Sequence, residues 1–234
     1  MGQDEFAERV ADVAVLADPI RRDLYQFVAR QPTPVSRDVA AEALAVPRHT
    51  VKFHLDRLVQ QGLLATTFQR LSGRTGPGAG RPTKLYRRSA REVAVTLPER
   101  RYDLAGQLMA QAIDESATTG VPVRQALHSA AGEFGGSIGE ATLAAAGADA
   151  PARARVIAGC AALAAHGYEP REENEPITLA NCPFDALARA HVELVCGMNL
   201  ALLEGFAGGL GTDALVARLD PAAERCCVVL DTGR

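Results

Sequence analysis

Tryptophan is absent, and aromatic residues make up only 5% of the 234-residue chain. Alanine is very frequent, which favours helices. No uninterrupted apolar run approaches the ~20 residues needed to span a bilayer. The stretch 1–15 is acidic and lacks the basic and apolar regions of a signal peptide. The expectation is a cytoplasmic protein with no membrane partner. Paired carboxylates, a Ser/His/Asp set and a phosphate loop are all missing, which argues against an enzyme. There is no cysteine in the first 159 residues. The five that exist are Cys160, Cys182, Cys196, Cys226 and Cys227. A reducing cytoplasm does not sustain a disulfide framework, which leaves buried thiols, metal ligands or a redox site.

What is present is enough for one large domain or two ordinary ones, with hydrophobic residues at 47% to build cores. The net charge of -3 hides an asymmetry. Residues 1–102 hold 17 basic and 11 acidic side chains, and residues 103–234 hold 8 and 17. Between Arg48 and Arg91 there are 10 basic residues against the single acid Asp56. A positive segment of this kind suits a polyanion.

The basic run coincides with a motif. Residues 18–30 read as a helix, with Pro19 in its first turn and an apolar stripe of Ile20, Leu24, Phe27 and Val28. Residues 31–34 break it. A short helix follows with Ser36 as N-cap, then a tight turn at Ala45-Val46-Pro47. A second helix runs from Arg48 to about Gln61, burying Val51, Leu55, Leu58 and Val59, with Gly62 as its C-terminal cap. Two helices across a tight turn form a helix-turn-helix, whose second helix enters a major groove.

The free face of that helix carries Arg48, His49, Thr50, Lys52, Phe53 and Arg57, with Phe53 suited either to a thymine methyl or to packing on a wing. His54 reads as a half-buried structural histidine. Residues 64–71 and 83–88 pair as a hairpin around a Gly/Pro-rich loop. Arg74 and Arg81 on that loop, and Lys84 beyond it, form a basic wing for phosphate or the minor groove. The segment Arg48-His-Thr-Val-Lys-Phe-His-Leu-Asp-Arg-Leu-Val-Gln-Gln-Gly-Leu64 and the phrase Gly80-Arg-Pro-Thr-Lys-Leu-Tyr86 resemble the recognition helix and wing of bacterial winged-helix regulators.

The remainder divides into helices at 101–117, 123–145 and 152–165, and strands at 167–171, 176–180, 214–219 and 225–230. The pair Gly135-Gly136 inside the second of these helices implies close packing or a break. The expected class is α+β: a winged helix-turn-helix over 1–92, a connecting and dimerising helix over 93–120, and a small α+β sensor over 121–234.

Three short stretches carry the cysteines: Asn181-Cys-Pro-Phe184, Ala190-His-Val-Glu-Leu-Val-Cys196 and Arg225-Cys-Cys-Val228. Together with the Gly-Arg-Pro wing phrase they resemble the SufR-type iron–sulfur-sensing repressors and their actinobacterial relatives. The resemblance implies a homodimeric repressor on a double-stranded DNA operator. It also implies a cluster held by Cys182, Cys196 and one or both of Cys226 and Cys227, with zinc as the alternative metal.

On a strand, Cys226 and Cys227 would point to opposite faces, so only Cys226 would serve easily. The fourth ligand would then come from Cys227, His191, Cys160, an acid or an exogenous thiol. Cys160, in an alanine-rich helix, reads as core. Cys182 and Cys196 would lie roughly 21 Å apart on one straight helix, so a shared site requires a break between Ala190 and Glu193. An organic effector pocket, with structural cysteines, is a rival reading, and a protein-contact role for the winged helix is another.

Overall fold

The computed structural model describes residues 3–70, 82–147, 149–173, 175–211 and 214–233. The chain is α+β and divides into two units, one reaching Val95 and one beginning at Thr96.

The first unit opens with α1 (Gln3–Ala14), which the sequence pattern does not announce, and a short 3-10 turn. Helix α2 (Pro19–Arg30) starts on Asp18, whose carboxylate accepts from the Arg21 backbone N–H at 3.0 Å. The two-residue strand β1 (Val35–Ser36) ends on Ser36, which caps α3 (Arg37–Leu44) through Val39 N–H at 3.2 Å. Ala45 takes a left-handed conformation (φ 53°) to make the tight turn into α4 (Arg48–Gln60). Gly62 (φ 71°) then turns the chain into β2 (Leu64–Gln69), which pairs antiparallel with β3 (Thr83–Arg88). The sheet order is β1-β3-β2. Leu24, Val28, Val51, Leu55, Leu58 and Leu64 are buried together beneath it. The loop between β2 and β3, with Arg74 and Arg81, lies outside the described residues.

The second unit contains α5 (Tyr102–Thr119), α6 (Val123–Ala146), α7 (Ala152–Ala165), α8 (Asp185–Ala190) and α9 (Val192–Leu210). Its sheet has β4 (Pro170–Arg171), β5 (Ile177–Leu179), β6 (Leu215–Leu219) and β7 (Val228–Thr232), in the antiparallel order β4-β5-β7-β6. Helix α9 is long and apolar enough by length and composition to cross a membrane. It is instead the core of this unit, with Met198, Leu202, Leu203, Phe206 and Leu210 buried.

Glycines let α6 and α9 approach until their backbones touch. A Cβ on Gly135 would stand 1.9 Å from the Leu202 carbonyl oxygen, and one on Gly139 2.2 Å from that of Phe206. From the other side, a Cβ on Gly205 would stand 2.1 Å from Gly132 O, and one on Gly209 2.4 Å from Gly136 O. The Gly135-Gly136 pair therefore serves close packing, and α6 runs through it unbroken.

The expected strand over 225–230 begins later. Both Cys226 and Cys227 precede β7, in a bend, so strand alternation does not set their side chains on opposite faces.

Gly135→Ala should destabilise the second unit by about 3 kcal/mol or more, at the upper end of overpacking costs, because backbone must move to admit the methyl. Gly106 on α5 has open space around it. Gly106→Ala should therefore gain up to about 1 kcal/mol of helix propensity. Denaturant midpoints of the two variants check this; equal shifts would contradict the packing account.

Candidate nucleic-acid interface and thiol site

One face of α4 is open. Residues His49, Lys52, Phe53, Asp56, Arg57 and Gln60, at helical spacing, line a concave surface of about 530 Å³. His49, Lys52 and Arg57 are exposed, Thr50 is half-buried, and Phe53 is 64% exposed. Arg48 is exposed too, with its guanidinium 3.3 Å from the Asp38 carboxylate. His54 faces inward, buried, its Nδ1 4.0 Å from Asp18.

Lys84 does not stand free at the end of the wing. Its Nζ lies 2.7 Å from Asp56, and Tyr86 Oη donates to the same carboxylate at 3.2 Å. Lys84 Nζ also sits 5.1 Å from the centre of the Tyr86 ring. Partial burial works to lower the Lys84 pKa, but the Asp56 carboxylate outweighs it and the net shift is upward. Lys84 therefore clamps the wing to the recognition helix and neutralises the one acid on its face.

In the second unit, the chain breaks helically at His191 (φ -137°, ψ 60°), between α8 and α9. The break lets Cys182, before α8, and Cys196, in α9, approach one site. The thiol of Cys182 interacts with that of Cys226, Cys226 with Cys227, and Cys227 with Cys196. Four thiols from three chain segments thus form one cluster. Cys160 is elsewhere, buried against Glu172, and His191 is exposed. No three His, Cys, Asp or Glu among the described residues stand at the spacing of metal-ion ligands. The thiols are near enough to shift one another's acidity but do not form a closed chelate.

The acidity of three of the thiols is shifted by this neighbourhood. Contact with Cys226, then burial, pushes the Cys182 thiol up. For Cys226, contact with Cys182 pulls its pKa down, but contact with Cys227 and burial carry it to about 12. Burial raises Cys196 as well, although contact with Cys227 opposes it. Cys182, Cys196 and Cys226 are thereby held protonated, because each added thiolate would be buried and face its neighbours' charge. A cationic iron or zinc centre reverses that balance by binding thiolates. Thiolates are the donor type that such a group takes.

The surroundings were less visible in the sequence. Asn199, buried in α9, donates Nδ2 to Cys226 Sγ at 3.1 Å and accepts from Tyr168 Oη. Sulfur-directed donors of this kind tune a thiolate ligand. A lone asparagine inside the apolar run of α9 is the signal that could have revealed it. Arg100 donates to Asn181 Oδ1 and, at 3.0 Å, to the Cys182 carbonyl. Asn181 returns a bond to Glu99 O at 2.9 Å, and Arg101 N–H donates to Pro183 O at 3.0 Å. The segment that opens the second unit is thereby fastened to the loop carrying Cys182. A cleft of about 500 Å³, lined by Arg100, Cys182, Asp185, Arg189 and Arg225 among others, gives Cys182 access to solvent. The space enclosed beside Tyr168 and Phe184 is about 10 Å³, whereas an open, mainly apolar groove of about 700 Å³ runs between α6 and α7.

Residues 16–67, from the turn before α2 into β2, match a family model described as a helix-turn-helix domain. No curated protein and no solved structure matches the chain. The chain thus carries the helix-turn-helix of a DNA-binding transcriptional regulator.

The raised thiol pKa values have a consequence for stability. The folded chain holds the Cys226 proton more tightly than the unfolded chain, whose thiol titrates near 9. The metal-free protein should keep its full stability below that pH and lose it progressively between about 9 and about 12. Denaturant titrations on either side of pH 9 check this, and a profile that rises with pH would contradict it.

Proposed function

We propose that the chain is a homodimeric repressor whose operator affinity is governed by an iron–sulfur cluster in the second unit. The observation that carries this reading is the gathering of Cys182, Cys196, Cys226 and Cys227 by the break at His191 and the bend before β7. These four thiols would hold the cluster, with Asn199 as a donor to one of them. A bound cluster supplies a redox-sensitive link between three chain segments otherwise joined by weak thiol contacts.

The protein's own part is mechanical. Cys182 is tied through its carbonyl to Arg100, which follows the DNA-binding unit by five residues in sequence. Drawing Cys182 toward Cys196 and Cys226 therefore loads the segment 99–102. In a dimer whose recognition helices reach half-sites about one DNA turn (~34 Å) apart, a change at that segment alters the fit to the operator.

Anaerobic reconstitution with iron and sulfide should give a visible chromophore in the wild-type chain. Single Ser substitutions at Cys182, Cys196 and Cys226 should each remove most of it, and Cys160→Ser should leave it intact. Full colour in the first three variants would refute the ligand set. A colourless chain that binds zinc stoichiometrically would favour the alternative metal.

A further inference from the structure

Two phenylalanines stand exposed in the DNA-binding unit, Phe53 on α4 and Phe68 on β2, each at 64%. Phe68 lies directly across the ladder from Lys84, and Thr66 across from Tyr86. Residues opposite one another in an antiparallel pair share a face of the sheet. Lys84 and Tyr86 both reach Asp56 on α4, so Phe68 projects on the α4 side. Phe53 precedes Asp56 by three residues, hence on the same helix face. The two rings therefore lie on the sides of the Lys84–Asp56 clamp, Phe53 on the helix among the exposed His49, Lys52 and Arg57, and Phe68 on the wing strand.

Basic side chains around this patch suit phosphates, but two phenyl rings have nothing to offer a phosphate. The apolar feature of a major groove is the C5-methyl of thymine, which a phenyl ring contacts well. The clamp removes the charge of Asp56 that would otherwise repel DNA at this spot. We infer that Phe53 and Phe68 form a two-ring surface that reads thymine methyls. Phe68 is then a specificity-determining residue of the wing strand. The inference rests on the DNA-binding reading above.

The test uses the full chain and duplexes selected by it from a random library. Each thymine of the selected duplex is replaced singly by uracil, which lacks only the methyl, and dissociation constants are compared at one salt concentration. At one or more thymines per half-site, uracil should weaken wild-type binding about fourfold, the factor for one buried methyl-sized group. Phe53→Ala and Phe68→Ala should bring that thymine-to-uracil ratio near one, while Phe→Leu at either position should keep part of it. Both rings are exposed, so the variants should unfold at the wild-type denaturant midpoint. Selected duplexes bound equally well with uracil at every position would overturn the inference alone, as would variants that keep the full ratio. A chain that selects no duplex at all would overturn it together with the DNA-binding reading.

Discussion

The backbone contact between α6 and α9 is the constraint on which the second unit depends. Four glycines sit where a methyl group would collide with the opposite main chain. Each glycine in a helix interior costs about 0.5–1 kcal/mol relative to alanine. The return is that Met198, Leu202, Leu203 and Phe206 become fully buried, each worth roughly 1.5–3 kcal/mol. Fixing α9 also fixes what it carries. Cys196 lies near its start, and Asn199 one turn on, bonded to Cys226. The thiol cluster is thus assembled on the buried core helix of the unit, while Cys182 and the Cys226-Cys227 pair come from the segments before α8 and before β7.

The origin of the thiols on three separate segments gives the site its character. Cys182, Cys196 and Cys226 resist ionisation because they share a buried space. Anything that stabilises thiolates there links α9, through Cys196, to the two segments that carry Cys182 and Cys226-Cys227. The loop with Cys182 is the one fastened to Arg100 and Glu99, at the start of the unit. The DNA-binding unit shows the converse design: its recognition face is fixed internally by the Lys84–Asp56–Tyr86 contacts, leaving His49, Lys52, Arg57 and two phenyl rings outward.

Much of this was legible from residues alone where a local rule decides. Pro19 in the first turn of α2, Ser36 as a cap, the apolar stripe of α4, and the turns at Ala45 and Gly62 each follow from short-range chemistry. Once Cys182 and Cys196 are assigned to one site, helix rise requires a break near His191, and α8 and α9 are separated there. What escaped was set by tertiary contact. Lys84 reads as a free wing cation until Asp56 is seen 2.7 Å away. Cys226 and Cys227 read as strand residues because Val228 to Leu230 continue the apolar pattern, but the strand starts after them. The roles of Arg100, Asn181 and Tyr168 depend on partners more than 30 residues distant in sequence, or on carbonyls that no side-chain pattern reveals. The β1 strand, two residues long, is likewise created by its partner Tyr86–Leu85 pairing and not by its own propensity.

The central claim is that the state of the thiol cluster controls DNA affinity. It is tested most directly by measuring operator affinity on a single anaerobic preparation, before and after iron is removed with a chelator, at fixed salt. The account predicts a change of tenfold or so, restored by reconstitution, the range typical of a coupling between two sites. Equal affinities for the iron-loaded and iron-free chain would contradict it.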